Sequence, residues 1–292
     1  MRIDLHTHSD RSDGTDRPGE LMGRAVTAGL DIIALTDHDT AVGWDDARAA
    51  AVDLGVGFVP GMEISCTYGG RGVHLLAYLL DPGYPPLAEE LRLVLDGRTA
   101  RLPATLERLR EVGVDITADD VEAVSGPAEA TGRPHVADAL VAKGVVRDRS
   151  EAFDRFLSKG RPAYVDRYAS DLVEMVRMVA DAGGVSVVAH PWGRHSRRSL
   201  DTDVLAALQE AGLTGVEVDH QDHDSTARSE LRHVAATLGL VQTGSSDFHG
   251  EGKLDCPLGV NTTDPEQFEK LLAAAEKSAS ASGRETPLPV LP

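Results

Sequence analysis

The chain has 292 residues, and its 29 basic and 47 acidic side chains leave a net charge of -18. That length suits a large α/β domain carrying an insertion, able to bury its core without disulfides, and the two cysteines make neither a scaffold nor a thiolate metal clip. The acidity disfavours long duplex nucleic acid as a partner, and no apolar run approaches the roughly 20 residues of a membrane span, so a cytoplasmic protein that binds small molecules is expected.

In chain order, apolar runs alternate with helical periods. "MRIDLHTHS" reads as a first strand before a helix over about 18–29, and "DIIALTDHD" as a second before a helix over about 41–54. "GVGFVPGMEIS" and "GVHLLAYLLD" follow as two neighbouring strands. Residues 84–165 break the rhythm: "LAEELRLVLDGRTARL", "ATLERLREVG", "RPHVADALVAKG" and "EAFDRFLSKG" carry helical patterns and no strand. This block reads as a helical insertion placed as a lid over the mouth of the sheet. Alternation then resumes with helices over about 169–182, 201–211 and 225–238, separated by the strands "GVSVVAHP" and "GVEVDH" and closed by "GLVQTGSSDFH".

Runs this continuously apolar suit a parallel sheet covered on both faces, and repeated β-α units argue for an α/β barrel or a doubly wound sheet. The expected division is 1–83 and 166–277 for the two parts of that domain and 84–165 for the insertion. Residues 278–292, "SASASGRETPLPVLP", read as a disordered tail.

The chemistry lies where strands end. His6 and His8 close the first strand, His38 with Asp37 and Asp39 the second, and Glu63 the third. His74 opens "VHLLAY", His190 closes "GVSVVAHP", and Asp247 and His249 close the last strand. In a parallel barrel the loops beyond the strand C-termini meet at one face, so residues spread along the whole chain would converge there. His6 and His8 are two apart and point to one side of a strand, as do Asp247 and His249. Imidazole with carboxylate and no thiolate suits Zn, Mn or Fe, and so many donors overfill a single tetrahedral site. Two or three divalent ions (Mn²⁺, Zn²⁺ or Fe²⁺) are expected, close enough to hold a hydroxide and polarise a phosphoryl oxygen.

"DLHTHSDRSDGT", "ALTDHDT", "GMEIS", "VHLLAY", "AHP" and "SSDFHG" resemble, in order, the motifs of the polymerase and histidinol phosphatase (PHP) family of metal-dependent phosphoesterases. The resemblance implies a distorted seven-stranded (β/α) barrel with the inserted helical domain and a trinuclear centre. It gives His6, His8, Glu63 and Asp247 to one ion, Glu63, His74 and His190 to a second, and Asp13, His38 and His249 to a third. The insert's "TGRPHVADALVAKG" and "FDRFLSKGRPAYV" resemble a subgroup that acts on nucleoside 3′,5′-bisphosphates, short 5′-phosphorylated RNAs or cyclic phosphates. By that resemblance Arg133 and Lys159 reach the substrate phosphate, for which guanidinium is suited to bidentate contact. His195 is a candidate for phosphate contact or for protonating the leaving group, and His223 for phosphate contact. Asp247, His195 and Arg133 form the expected catalytic set.

His135 reads either as a ligand-side residue or as a residue of a helix's first turn, and Trp44 and Trp192, near strand ends, as packing residues with base stacking as the alternative. Asp37 and Asp39 read as carboxylates that orient imidazoles. The reading is a phosphoesterase for a small nucleotide-like substrate. Its rivals are a cyclic-phosphate phosphodiesterase, an amidohydrolase-type barrel cutting C–N bonds, and a non-catalytic metal-bound module.

Overall fold

A computed structural model of the chain describes residues 1–193, 199–253 and 255–292. Its strands are β1 (Ile3–Asp4), β2 (Ile32–Leu35), β3 (Gly57–Tyr68), β4 (Arg71–Tyr78), β5 (Ser170–Asp171), β6 (Val185–Val188), β7 (Gly215–Asp219) and β8 (Val241–Gly244). Seven run in the order β1-β2-β3-β4-β6-β7-β8, with β5 paired to β3 off this path. A parallel bridge between Thr7 and Phe248 brings the two outer ends together, leaving a nearly closed barrel.

Around the barrel lie α1 (Pro18–Thr27), α2 (Trp44–Leu54), and then α3 (Pro85–Glu111), α4 (Ala118–Ser125), α5 (Arg133–Ala142) and α6 (Arg149–Ala152). The last of these continues into a π-helical turn at Phe153–Leu157. The chain goes on through α7 (Leu172–Asp181), α8 (Thr202–Glu210), α9 (Ser225–Leu238) and α10 (Pro265–Ser282). Aspartates open five of the helices: Asp148, Asp171, Asp201, Asp224 and Asp264 each accept from backbone N–H groups of the first turn.

Alternation along the strands builds two cores. Ile32, Ala34, Leu76, Tyr78, Val185 and Val187 point into the barrel, where Phe268 and Leu271 of α10 join them. Ile33, Leu35, Leu75, Ala77 and Val188 point out, against Leu21, Met22, Met175 and Val176 of the surrounding helices. The insertion has its own core of Leu106, Leu109, Val121, Val136, Leu140 and Phe156. Helix α3 is shared: Leu87 and Leu91 near its start pack with the barrel, and Leu106 and Leu109 with the insertion.

Two expectations change. The sheet is not wholly parallel, because β4 runs antiparallel to both β3 and β6. Gly69 and Gly70, both at positive φ (55° and 73°), make the two-residue turn that folds β4 straight back. The tail is also ordered. The small residues of "SASAS" continue α10 to Ser282, and Val290 forms a two-way antiparallel bridge to Phe58 at 2.8 Å. Composition alone read these residues as loose because the bridge partner lies more than 200 positions away.

Candidate metal centre

The strand reversal matters at the site. Because β4 is antiparallel, His74 near its beginning lies opposite Ser65, at the end of the barrel where the parallel strands finish. There it joins His6 and His8 after β1, His38 after β2, Glu63 in β3, His190 after β6, and Asp247 and His249 after β8.

Glu63 is the hub. Its Oε2 lies 3.3 Å from His6 Nε2, 3.2 Å from His8 Nε2 and 3.1 Å from His38 Nδ1. Its Oε1 lies 2.7 Å from His74 Nδ1 and 3.3 Å from His190 Nε2. Asp247 Oδ1 is 3.3 Å from His6 Nε2 and 3.4 Å from His8 Nε2. Asp13 reaches in from the loop after β1, with Oδ1 3.3 Å from His249 Nε2 and Oδ2 3.7 Å from His38 Nε2. That loop turns tightly under His8, and a Cβ on Gly14 would sit 2.4 Å from the His8 carbonyl oxygen.

Three overlapping groups have donor atoms all within 4.8 Å of one another: His6, His8, Glu63 and Asp247; His8, Asp13, His38 and His249; and His38, Glu63 and His74. His190 falls outside the third of these and touches it through Glu63. The nitrogen–oxygen donor set, without thiolate, suits divalent metal ions. His74 Nδ1 faces Glu63 Oε1 at 2.7 Å yet makes no hydrogen bond, and a cation shared by the two would satisfy both.

Outer contacts aim these donors. His6 Nδ1 donates to Glu217 Oε1 at 3.1 Å, and His249 Nδ1 to the Asp247 carbonyl at 2.8 Å, which turns both Nε2 lone pairs inward. Glu217 also accepts from the His190 N–H at 2.8 Å and from the Ser245 hydroxyl. Asp39, His190 and Asp247 hold positive φ values of 60°, 30° and 53°, so backbone strain gathers at this cluster.

Charge follows geometry. Burial would raise the Asp247 carboxyl, but Lys253, whose Nζ lies 2.5 Å from Oδ2, and then His6 and His249 hold it well below the carboxylate range. Burial likewise opposes ionisation of Glu63 and Asp13, and the surrounding imidazoles outweigh it. Burial works against a charged His8 too, yet Asp247 and Glu63 lift it to about 9. Burial prevails at His38 and His190, pushed down to about 3 and about 4.

The remaining expected residues have varied places. Asp37 accepts from Ser9 N, Ser9 Oγ and Ser12 Oγ, and Asp39 from Ser65 and Arg98. Both therefore brace loops, and neither orients an imidazole by hydrogen bonding. His223 has both ring nitrogens engaged within the chain: Nδ1 donates to Val218 O and Nε2 accepts from Trp192 N. Lys159 is exposed and donates to the Gly70 carbonyl, tying the insertion to the β3–β4 turn and not to the metal cluster. Arg133 donates to Leu157 O and lies over the rings of Phe153 and Tyr164. His135 spends both nitrogens structurally, accepting from Gly132 N and contacting Ser12 O at 2.9 Å. Trp44 and Trp192 are buried packing residues. His195 lies outside the described residues.

Three contributors were not singled out from sequence, and a fourth, His220, reads there only as a strand-end histidine facing the barrel mouth. Glu217 is an acid inside the apolar strand "GVEVDH", which is a readable signal for a buried partner. Lys253 and Arg149 carry none, although Arg149 forks onto Asp138 and donates to the Asp13 carbonyl at 2.9 Å. His220 is fully buried, and its Nδ1 accepts from Asp222 N. Its proton is therefore on Nε2, 3.4 Å from Asp247 Oδ2, so it faces the cluster as a donor.

The PHP domain model matches residues 4–102. The chain is 34% identical over 258 residues to a 3′,5′-nucleoside bisphosphate phosphatase of Chromobacterium violaceum, covering 86% of this chain and 88% of that one. It is 31% identical over 248 residues to a 5′-3′ exoribonuclease of Haemophilus influenzae, covering 85% and 90%. The crystal structure of a metal-dependent phosphoesterase from Bifidobacterium adolescentis superimposes with a TM-score of 0.89 at 37% identity, covering 93% of this chain and 96% of that one. The chain belongs to the PHP family of metal-dependent phosphoesterases.

Proposed function

We propose that the chain hydrolyses a phosphate ester of a small nucleotide, with a nucleoside 3′,5′-bisphosphate or a short 5′-phosphorylated oligonucleotide as substrate. One observation carries this reading: an imidazole–carboxylate cluster at the barrel mouth, faced by an arginine-bearing insertion. A pocket runs from Asp13 and His38 to Arg98, Gly132 and His135, so cluster and insertion share one cavity.

In this reading His6, His8, Glu63 and Asp247 hold one ion, Glu63 and His74 with His190 hold a second, and Asp13, His38 and His249 hold a third. Bound divalent ions supply Lewis acidity and bring the pKa of water into the neutral range. The chain's own groups do the rest. Glu217 fixes the His6 tautomer and anchors the His190 backbone. His220 presents an N–H to Asp247 and acts as a positioning residue. His135 and Arg149 clasp the Asp13 loop from the insertion, so the lid and the third group form one unit. Arg133 stands in the insertion as a phosphate contact.

The amidohydrolase rival has no use for a guanidinium-lined wall beside its scissile bond. The test is phosphate release by Mn²⁺-loaded protein from a panel of nucleoside 3′,5′-bisphosphates, mononucleotides, cyclic phosphates and short 5′-phosphorylated RNA. The bisphosphate or the RNA should be turned over fastest. A fully metallated protein releasing phosphate from none of them would refute the reading.

A further inference from the structure

In an acidic chain, Arg98 lines the cavity, and the segment carrying Arg167 packs on α3 beside it, the Tyr168 Cβ lying 3.1 Å from where a Cβ on Gly97 would sit. Arg98 and Arg101 are one helical turn apart on α3 and share a face. Arg133 opens α5, and Arg167 lies in the segment that returns to the barrel. Arg98 is spoken for: its Nε lies 2.7 Å from Asp39 Oδ2 and its Nη2 2.7 Å from Ser65 Oγ. It also lines the pocket that contains Asp13 and His38.

Arg101 is different. It is only 8% exposed, yet among the described residues no acceptor hydrogen-bonds its guanidinium and no carboxylate lies within 4.0 Å of it. Arg167, at the same distance limit, also lacks a carboxylate and donates only to the neighbouring Tyr168 carbonyl. Burying unpaired like charges is costly unless an anion arrives to share them. The strain shows in proton affinity. Burial and then Arg133, Arg167 and Arg98 push Arg101 down to about 9, and burial and then Arg98 push Arg167 down to about 10.

We propose that Arg101 and Arg167, abutting Arg98, form a second anion seat that holds a phosphate of the substrate other than the one being hydrolysed. The proposal rests on the phosphoesterase reading and sharpens it, because it makes the enzyme selective for substrates carrying two phosphate groups. The reacting phosphate lies at the imidazole–carboxylate cluster. The other one, a terminal phosphate or the next phosphodiester, is held beyond Arg98 by planar guanidinium donors.

Metal-loaded wild type, Arg101→Gln and Arg167→Gln would be compared in two ways. Sulfate, a dianion that undergoes no reaction, serves as the binding probe in thermal melts. It should raise the wild-type Tm, and the increment should fall by half or more in each variant. Without sulfate, Arg101→Gln should melt no lower than wild type, since like-charge crowding is relieved; a purely structural arginine would give a clear fall. In kinetics, the ratio of kcat/KM for a nucleoside 3′,5′-bisphosphate over the 5′-monophosphate should drop at least tenfold.

A 5′-phosphorylated dinucleotide separates the two phosphate sources: an equal drop means the seat accepts phosphodiesters, and no drop confines it to terminal phosphates. Sulfate responses and substrate ratios that both stay within twofold of wild type would overturn the seat. So would a melting point that falls with no change in either. If the wild type releases no phosphate at all, the phosphoesterase reading fails, and the sulfate melts still decide whether the seat exists.

Discussion

Replacing Glu217 by glutamine should weaken metal binding by one to two decades while leaving the barrel folded. The fully buried carboxylate accepts from three donors: His6 Nδ1, the His190 N–H and the Ser245 hydroxyl. An amide keeps one acceptor oxygen and turns an NH₂ toward at least one of those donors. Losing one buried hydrogen bond to a charged group costs about 1.5–3 kcal/mol. At about 1.4 kcal/mol per tenfold, that is roughly a 10- to 100-fold loss, the range found when outer partners of metal-bound histidines are removed. The loss falls on metal binding because Glu217 fixes which His6 nitrogen faces Glu63 and Asp247. Competition titration of Mn²⁺ against a chelating dye, with circular dichroism as the control for folding, reads the effect. A folded Glu217→Gln protein whose affinity stays within threefold of wild type would refute the idea that this carboxylate aims the cluster.

Other outcomes follow from the same contacts. In excess chelator, stability should peak near pH 6.5. His8 is raised to about 9, so its contribution is complete below about 6.5 and lost as pH climbs to 9. His38 and His190 are lowered to about 3 and about 4, so acidification below about 6.5 favours the unfolded chain, which takes up their protons. Thermal melts across pH 5 to 10 test this, and a Tm still rising at pH 9 would contradict it. Arg149→Ala should loosen the Asp13 loop and lower the affinity for one ion about tenfold, as outer-contact losses do, with the others kept. Metal titration that finds every site unaltered would show that the insertion does not brace the third group.

Much of this was legible in the sequence because metal donors in this fold sit where strands stop, and strand ends can be read from apolar runs. His6, His8, His38, Glu63, His74, His190, Asp247 and His249 met as expected. Less legible was anything set by contacts distant in sequence. The double glycine at 69–70 is a hairpin signal, yet the continuous apolar runs on either side of it suggest parallel strands. Val290 reads as loop until Phe58 is placed beside it. His223 resembled a phosphate contact by position, and only its hydrogen bonds to Val218 and Trp192 show both nitrogens occupied. Lys159 reads by resemblance as a phosphate contact or simply as a helix end, and only the structure shows its bond to the Gly70 carbonyl. Arg101 gave no signal at all, since an arginine within a helical pattern reads as surface until its burial is known.

The most direct test of the account measures metal content and phosphate release on the same samples of wild type and His8→Ala. His8 belongs to two of the three donor groups. Its removal should cost at least one bound ion per chain and abolish release of phosphate from a nucleoside 3′,5′-bisphosphate. A His8→Ala protein that keeps full metal occupancy and full turnover would place the reaction elsewhere in the molecule.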